Sequence, residues 1–349
     1  LTLMPPNGLA GAQPTTPALT RLGQTSPHPA PVGVERLCDG AGEAGISISG
    51  TSLLRWRRER LALGGCSADL DWLLREEAAL DWGTLQRLRI EPDQPVHLKA
   101  KLARLELLWH RHCLEHEPLQ YLVGRCPWRD VDLAVAPGVL IPRQESELLV
   151  EIAQRLSGSS VPHVWADLGT GSGCLAVALA RLWPAAAGFG VDVSPEALRQ
   201  AAGNLRQWAP AQHVQLLAGE WWAPLQPWWG LLDMVVANPP YIPTATWAAL
   251  EPLVQRHEPR LALDGGADGL AAIRPIAAGA PAALAPGGWL VLEHQYDQSA
   301  AVLELLRSAG LEQVSAHPDL EGNERFAVAR RPAGTHPETA SQASSCRHP

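Results

Sequence analysis

No two of the six cysteines, Cys38, Cys66, Cys113, Cys126, Cys174 and Cys346, form a CxxC pair. Their wide spacing gives neither a disulfide framework nor a zinc site, so free thiols in a reducing, cytoplasmic compartment are expected. No apolar run is long enough to span a bilayer without a charge, proline or glycine interrupting it, and no membrane association is expected. Positive charge is in short supply: 28 Lys+Arg against 36 Asp+Glu leave a formal net charge of −8. With no evident basic stripe, that balance argues against a nonspecific nucleic-acid binder. What remains is an ordinary globular composition, 46% hydrophobic and 18% charged, over 349 residues, enough for about two domains. The sequence opens on Leu1, with its first methionine at Met4, so it is expected to be incomplete or misassigned at its start.

Residues 1–50 are rich in Pro, Gly, Ala, Ser and Thr without a period, as in Pro5-Pro6-Asn7-Gly8. Such a segment buries too little apolar surface to offset its ordering entropy and is expected to be disordered. Few acidic residues precede Glu35, as in a transit peptide, but Arg21 is the only basic residue of the first thirty, which favours plain disorder. From 51 to 117 leucines and tryptophans recur at helical spacing (Leu53, Leu54, Trp56; Leu70, Leu73, Leu74; Leu102, Leu105, Leu108), with Ser67 as a cap, giving a small helical domain. His112 and His116 stand one helical turn apart with Cys113 beside them, but no third ligand follows at a diagnostic spacing. An exposed histidine face without a metal is expected. Residues 118–143 carry turn signals at Gly124, Pro127 and Pro137-Gly138 around the alternation Val131 to Val135, which reads as a linking hairpin. A helix is expected from about Gln144, with Arg143 and Glu145 as ordinary helix-start charges.

Beyond Gly158 strands and helices alternate, the pattern of a mostly parallel sheet covered on both faces. Strands are expected to end at Leu168, Asp192, Leu217 and Ala237, followed by 287–293 and two short ones near 311–315 and 325–329, seven in all; a polar tail, 333–349, is expected to be disordered. After Val164 to Leu168 comes Gly169-Thr170-Gly171-Ser172-Gly173, a turn that lets a ligand approach backbone N–H groups. A nicotinamide or flavin fingerprint would place glycine where Cys174 stands. The G-x-G-x-G form with Asp167 before it instead resembles the nucleoside-binding loop of S-adenosylmethionine methyltransferases. Asp192, at the end of the second strand and about 20 residues on, is placed to accept both ribose hydroxyls. Trp221, after the third strand, offers an apolar surface for adenine, although with 14 tryptophans in the chain a plain core or surface role competes. His294, a lone histidine past a strand end, reads as structural.

The fourth strand delivers Asn238-Pro239-Pro240-Tyr241. Prolines cannot continue the strand, so the chain turns at its carboxyl end, where open α/β sheets bind ligands. An amide or exocyclic amine is a poor nucleophile because its lone pair is delocalised; a site must hold it in line with the electrophile and take up charge developing on nitrogen. The Asn238 side-chain oxygen and the Pro239 carbonyl are suited acceptors, and Tyr241 can lie on the planar face.

Over residues 51–331 the chain resembles the release-factor glutamine methyltransferases, the HemK or PrmC family. The likeness is densest at Pro118 to Gly124, Gly138-Val139-Leu140-Ile141-Pro142-Arg143, Asp167 to Gly173, Asn238 to Pro243, and Glu258-Pro259-Arg260 with Leu263-Asp264-Gly265-Gly266. The resemblance implies a Rossmann-like class I methyltransferase fold (144–332) behind a helical, substrate-docking domain. It implies S-adenosylmethionine as methyl donor, touched by Gly169 to Gly173, Asp192, Trp221 and Asn238. It also implies methylation of the glutamine side-chain amide in the Gly-Gly-Gln motif of peptide chain release factors, held by Asn238, Pro239, Pro240 and Tyr241, with a monomeric enzyme as the expected form. Two departures are visible: Pro142-Arg143-Gln144-Glu145-Ser146-Glu147 where the family usually reads Pro-Arg-Pro-Glu-Thr-Glu, and His294-Gln295 where it often reads Ile-Gly. The Asn-Pro-Pro-Tyr tetrad is shared with adenine-N6 methyltransferases of nucleic acid, which are one alternative. A ribosomal-protein glutamine as substrate and a noncatalytic cofactor-binding scaffold are the others.

Overall fold

A computed structural model describes residues 45–333. The disorder expected for residues 1–44 and 334–349 therefore lies outside the described residues. The N-terminal layer opens with β1 (Ile46–Ser49), α1 (Gly50–Leu61), α2 (Ser67–Ala78) and α3 (Trp82–Ile90), followed by β2 (Pro95–Leu98), α4 (Leu102–Glu115) and α5 (Leu119–Val123). It is not purely helical: β1 and β2 pair antiparallel, Ile46 opposite Leu98, so residues 46–49 form a paired strand within the stretch expected to be irregular. Strands of four residues, flanked by loop-forming Gly and Pro, are too short to show a period in sequence. Helices α1, α2 and α4 turn leucines inward around Trp56 and Trp109. The cap of α2 is Cys66, whose Sγ accepts the Asp69 N–H, and Ser67 is the first helical residue.

His112 does not belong to an exposed face. Its ring is half-buried, with Nδ1 2.9 Å from the Glu117 carbonyl and Nε2 3.8 Å from Asp69. Burial works against its charge, yet Asp69 and that carbonyl hold its pKa above the ordinary histidine value. His116 ends α4 in the left-handed conformation, φ 59°.

A short antiparallel hairpin follows, β3 (Arg125–Trp128) and β4 (Val131–Ala134), and then α6 (Glu147–Ser157). Helix α6 begins three residues later than expected, after a tight turn in which the Glu147 N–H donates to the Gln144 carbonyl. The alternating part comprises β5 (Val164–Leu168), α7 (Cys174–Leu182), β6 (Ala187–Asp192), α8 (Pro195–Trp208), β7 (Val214–Ala218), β8 (Leu232–Ala237), α9 (Pro252–His257), α10 (Ile273–Ala283), β9 (Leu284–Glu293), α11 (Ser299–Ser308), β10 (Glu312–Pro318) and β11 (Glu324–Arg330). Its sheet has seven strands in the order β10-β11-β9-β8-β5-β6-β7. Strands β9, β8, β5, β6 and β7 run parallel, and β11 and β10 close the edge antiparallel. This is a Rossmann-like, mostly parallel sheet.

Strands buried on both faces need apolar residues at every position. In β8, Leu232 and Met234 to Ala237 are all buried. Alternate side chains serve opposite layers: Val235 and Ala237 face the α10 and α11 side, whereas Met234 and Val236 face α6 and α7. Because β6 and β7 lie on one flank of β5 and β8 on the other, the chain reverses direction at β5 and β8. That switch point opens a crevice at the carboxyl ends of the strands. Among the described residues, no helix is long and apolar enough to cross a membrane.

Candidate active site

Four strand ends converge on the crevice. The loop after β5 is held by its own amides: the Gly169 and Thr170 N–H groups donate to the Val191 carbonyl at 2.8 and 2.9 Å, and the Gly171 N–H donates to Asp192 Oδ2 at 2.9 Å. The expectation that these N–H groups face a ligand is thus corrected, because they are spent on fixing the loop to β6. What the glycines leave is room. Gly169, at φ 76°, lies under the Trp221 ring, whose Cζ3 would stand 3.5 Å from an added Cβ. At Gly173, φ 81°, a Cβ would meet the Ala201 backbone of α8 at 2.9 Å, which only glycine avoids. Thr170 and Ser172 are buried. These two and Gly173 stand outside the cavity lining and shape the loop from behind.

Asn204 of α8, absent from the residues expected at the site, is buried and clamps this arrangement. Its Oδ1 accepts the Ala134 N–H at 2.8 Å, and its Nδ2 donates to the carbonyls of Ala134 and Ser172 at 3.0 and 2.8 Å. The hairpin and the glycine loop are thereby tied to one helix. A single polar residue at an apolar position of the helical period (Ala197, Ala201, Asn204, Leu205) was the available signal.

Beneath the loop Asp167 is fully buried, with Oδ2 accepting the Thr170 hydroxyl at 2.7 Å and Oδ1 without a partner. Burial, only partly opposed by the Thr170 bond and reinforced by Asp192, pushes its carboxyl up to about 7 from 3.8. A carboxyl whose pKa is raised on folding stabilises the fold while both states are protonated, and that contribution is lost as pH rises through the folded value. Without cofactor, the melting temperature should therefore fall between pH 4 and 7 in part through Asp167, and Asp167→Asn should flatten that slope. Thermal denaturation across this range decides it; equal slopes in the two proteins would remove Asp167 from the account.

The crevice is a cavity of about 310 Å³ lined by Gly169, Gly171, Asp192, Trp221, Asn238 and Pro240 together with Val139, Leu140, Val193, Leu261 and others. Asp192 holds two backbone donors, with Oδ1 accepting the Ser194 N–H at 2.9 Å. Trp221 adopts φ 46°, an uncommon conformation for a bulky residue, in the turn that sets its ring against Gly169.

The Asn238 side chain is oriented by its nitrogen: Nδ2 donates to Ser146 Oγ at 2.9 Å, leaving Oδ1 as the free end of the amide. Ser146 Oγ donates in turn to Glu293 Oε2 at 2.7 Å, and Tyr241 Oη donates to Glu293 Oε1 at 3.1 Å. The Tyr241 carbonyl accepts from Gln298 Nε2 at 2.9 Å. Burial and the Glu293 charge raise the Tyr241 pKa, so it remains a phenol and a donor. The open aromatic face expected of Tyr241 is corrected accordingly: its ring packs on the core and its hydroxyl is anchored, and like Pro239 it stands outside the lining.

Arg143 is likewise more than a helix-start charge. Its Nη2 lies 2.6 Å from Glu258 Oε1, while Glu258 Oε2 accepts the Ile141 N–H at 3.2 Å. With Tyr121 Oη on the Val139 carbonyl at 2.7 Å and Trp128 Nε1 on the Arg143 carbonyl at 2.8 Å, these bonds hold 138–143, of which Gly138, Val139 and Leu140 line the cavity. His294 is fully buried, its Nδ1 on the Gln295 carbonyl. Burial lowers its pKa, which suits a neutral side chain packed beside the strand end.

Residues 144–267 match the family model described as "Methyltransferase small domain". The chain is 47% identical over 287 residues to a protein of Prochlorococcus marinus named "Release factor glutamine methyltransferase", covering 82% of this chain and 98% of that one. Proteins of the same name from Thermosynechococcus vestitus and Gloeobacter violaceus are 46% and 43% identical, covering 70% and 78% of this chain and 84% and 95% of theirs.

Proposed function

The chain belongs to the release factor glutamine methyltransferases, and from that premise we propose that its cleft transfers a methyl group from S-adenosylmethionine to the glutamine side-chain amide of the Gly-Gly-Gln motif in peptide chain release factors. The observation that carries the assignment to this cleft is the Asn238 amide. Its nitrogen is committed to Ser146, which leaves its oxygen, on a residue that lines the cavity, as the acceptor for a substrate N–H.

The residues present fit the cofactor. The cavity has the size and mainly apolar walls usual for small-molecule sites, roughly 300–1,000 Å³. Gly169 lines the cavity between the Trp221 ring and the Asn238 backbone, Trp221 supplies an apolar plate for a base, and Asp192 supplies carboxylate oxygens for ribose hydroxyls. Thr170, Ser172 and Gly173 contribute by holding the loop. When bound, S-adenosylmethionine supplies an electrophilic methyl group on a sulfonium sulfur.

Asn238 Oδ1 takes one N–H of the glutamine amide, and the Pro239 carbonyl, set just behind the lining, is the acceptor proposed for the other, fixing the amide plane and drawing charge toward nitrogen as the new C–N bond forms and the C–S bond breaks. One amide proton is then released to water. Pro240 walls the pocket, and Tyr241, clamped at its hydroxyl and carbonyl, holds the turn rigid. The 51–117 helices serve as the docking domain for the protein substrate, a reading supported by the exposed side chains of Trp82, Ile90, Leu107 and Leu114. The same proposal takes the enzyme as a monomer. The free thiols of Cys66, Cys113, Cys126 and Cys174 and the net charge of −8 support a cytoplasmic enzyme that takes protein rather than nucleic acid.

Labelled S-adenosylmethionine incubated with a purified release factor, its Gly-Gly-Ala variant and duplex DNA is expected to label the unaltered factor alone. Label on DNA would replace the glutamine reading by the adenine one.

A further inference from the structure

Asn238 and Glu293 are neighbours by register. Each stands one residue past the parallel pair Ala237 and Leu292, at the ends of β8 and β9. Ser146, from the turn before α6, sits between them with Oγ 2.9 Å from Asn238 Nδ2 and 2.7 Å from Glu293 Oε2. Both Ser146 and Glu293 are buried, at 2% and 1% exposure, so water does not compete for these bonds.

We infer that Glu293, acting through the Ser146 hydroxyl, fixes which end of the Asn238 amide faces the cavity, and thereby sets the site to receive an N–H group rather than a carboxylate. The two ends of an asparagine amide have nearly the same shape, and only their hydrogen-bond partners tell them apart. A serine hydroxyl has one proton. A carboxylate can only accept, so Ser146 gives that proton to Glu293 and keeps lone pairs for Asn238. The amide nitrogen alone can answer them. Were Ser146 free to donate to Asn238, the amide could turn and point its N–H bonds at the substrate N–H groups, the wrong polarity for methyl transfer.

Tyr241 closes the other side by donating to Glu293 Oε1, so both carboxylate oxygens are engaged. Burial pushes the Glu293 carboxyl above the ordinary glutamate value, and these two bonds oppose that shift only in part. The remaining charged groups acting on Glu293 are Glu145, which opposes its ionisation, and Arg325, which favours it. Glu293 is a positioning residue, since it reaches the substrate only through Ser146 and Asn238.

The inference rests on the methyl-transfer reading for its consequence, but its first test needs no substrate. The chain holds four asparagines, Asn7, Asn204, Asn238 and Asn323, so selective 15N-asparagine labelling of the full chain gives few side-chain amide signals. The Asn238 signal is identified by its loss in Asn238→Asp. Its protons are expected to exchange slowly in the wild type and in Ser146→Thr, which keeps the hydroxyl, and to exchange at least tenfold faster in Ser146→Ala and Glu293→Gln. Equal exchange in all four proteins would overturn the inference whatever the substrate is.

With a release factor, Ser146→Ala and Glu293→Gln should lower kcat about tenfold at an unchanged KM for S-adenosylmethionine, and the double variant should be no slower than the slower single one, as for residues acting in one chain. Both should also bind a Gly-Gly-Glu factor better, relative to Gly-Gly-Gln, than the wild type does. Unchanged preference together with additive losses would reduce both residues to packing. Failure of the wild type to label the factor would strike the methyl-transfer reading and leave the exchange result standing.

Discussion

Asn238→Ala is expected to lower kcat for methyl transfer by about 10²-fold or more, the cost of removing one preorganised hydrogen-bonding group from a water-excluded transition state. The amide nitrogen of glutamine gains positive character as its bond to carbon forms, so an acceptor on its N–H is worth more at that moment than in the bound ground state. The loss should therefore appear in kcat, with the affinity for S-adenosylmethionine changed by no more than a few-fold, because the cleft keeps Gly169, Asp192 and Trp221. Alanine also leaves the Ser146 hydroxyl with its bond to Glu293, so the surrounding network has no reason to collapse. Initial rates with labelled cofactor, beside calorimetric cofactor binding, separate these quantities. Near-normal turnover in Asn238→Ala would end the assignment of this residue to the reacting amide.

The parts of this site that could be read from sequence are those written in consecutive residues. Strand β8 ends at Asn238 because two prolines follow, and β5 turns into α7 through three glycines; each is a local rule with a local cause. Asp192 was legible because it closes a strand at a fixed distance from the loop. What could not be read were the polar partners that only the fold supplies. Arg143 and Glu258 lie 115 residues apart, and Ser146 and Glu293 lie 147 apart, so no window contains both members. Without its partner each looks like an ordinary helix-start or strand-end polar residue. The glycine loop failed in the opposite sense. Its composition announced a binding turn, but which of its N–H groups remain free depends on β6, whose Val191 carbonyl and Asp192 carboxylate take three of them. In the N-terminal layer, β1 and β2 escaped notice because their pairing spans α1, α2 and α3, while His112 looked exposed because Asp69 and Glu117 come to it from outside its own helical face.

Asp192→Ala is expected to weaken S-adenosylmethionine binding by about 10²-fold, from two charge-assisted hydrogen bonds to ribose at no less than about 1.5 kcal/mol each. The same carboxylate holds the Gly171 and Ser194 N–H groups, so a loss of affinity alone does not separate ribose recognition from support of the loop. A cofactor analogue without the 2′-hydroxyl separates them. If Asp192 accepts from ribose, the wild-type protein should bind the deoxy analogue at least tenfold more weakly than S-adenosylmethionine, and Asp192→Ala should bind the two nearly alike. Asp192→Asn should fall between, since its amide oxygen can serve one hydroxyl without the charge. If the residue only props the loop, both ligands lose affinity equally in Asp192→Ala and the wild type shows no preference. Calorimetry with the two ligands on the three proteins distinguishes the cases. The ribose reading is favoured because Asp192 lines the cavity while already supporting the loop, and a carboxylate accepting one N–H on each oxygen still has a lone pair on each to offer.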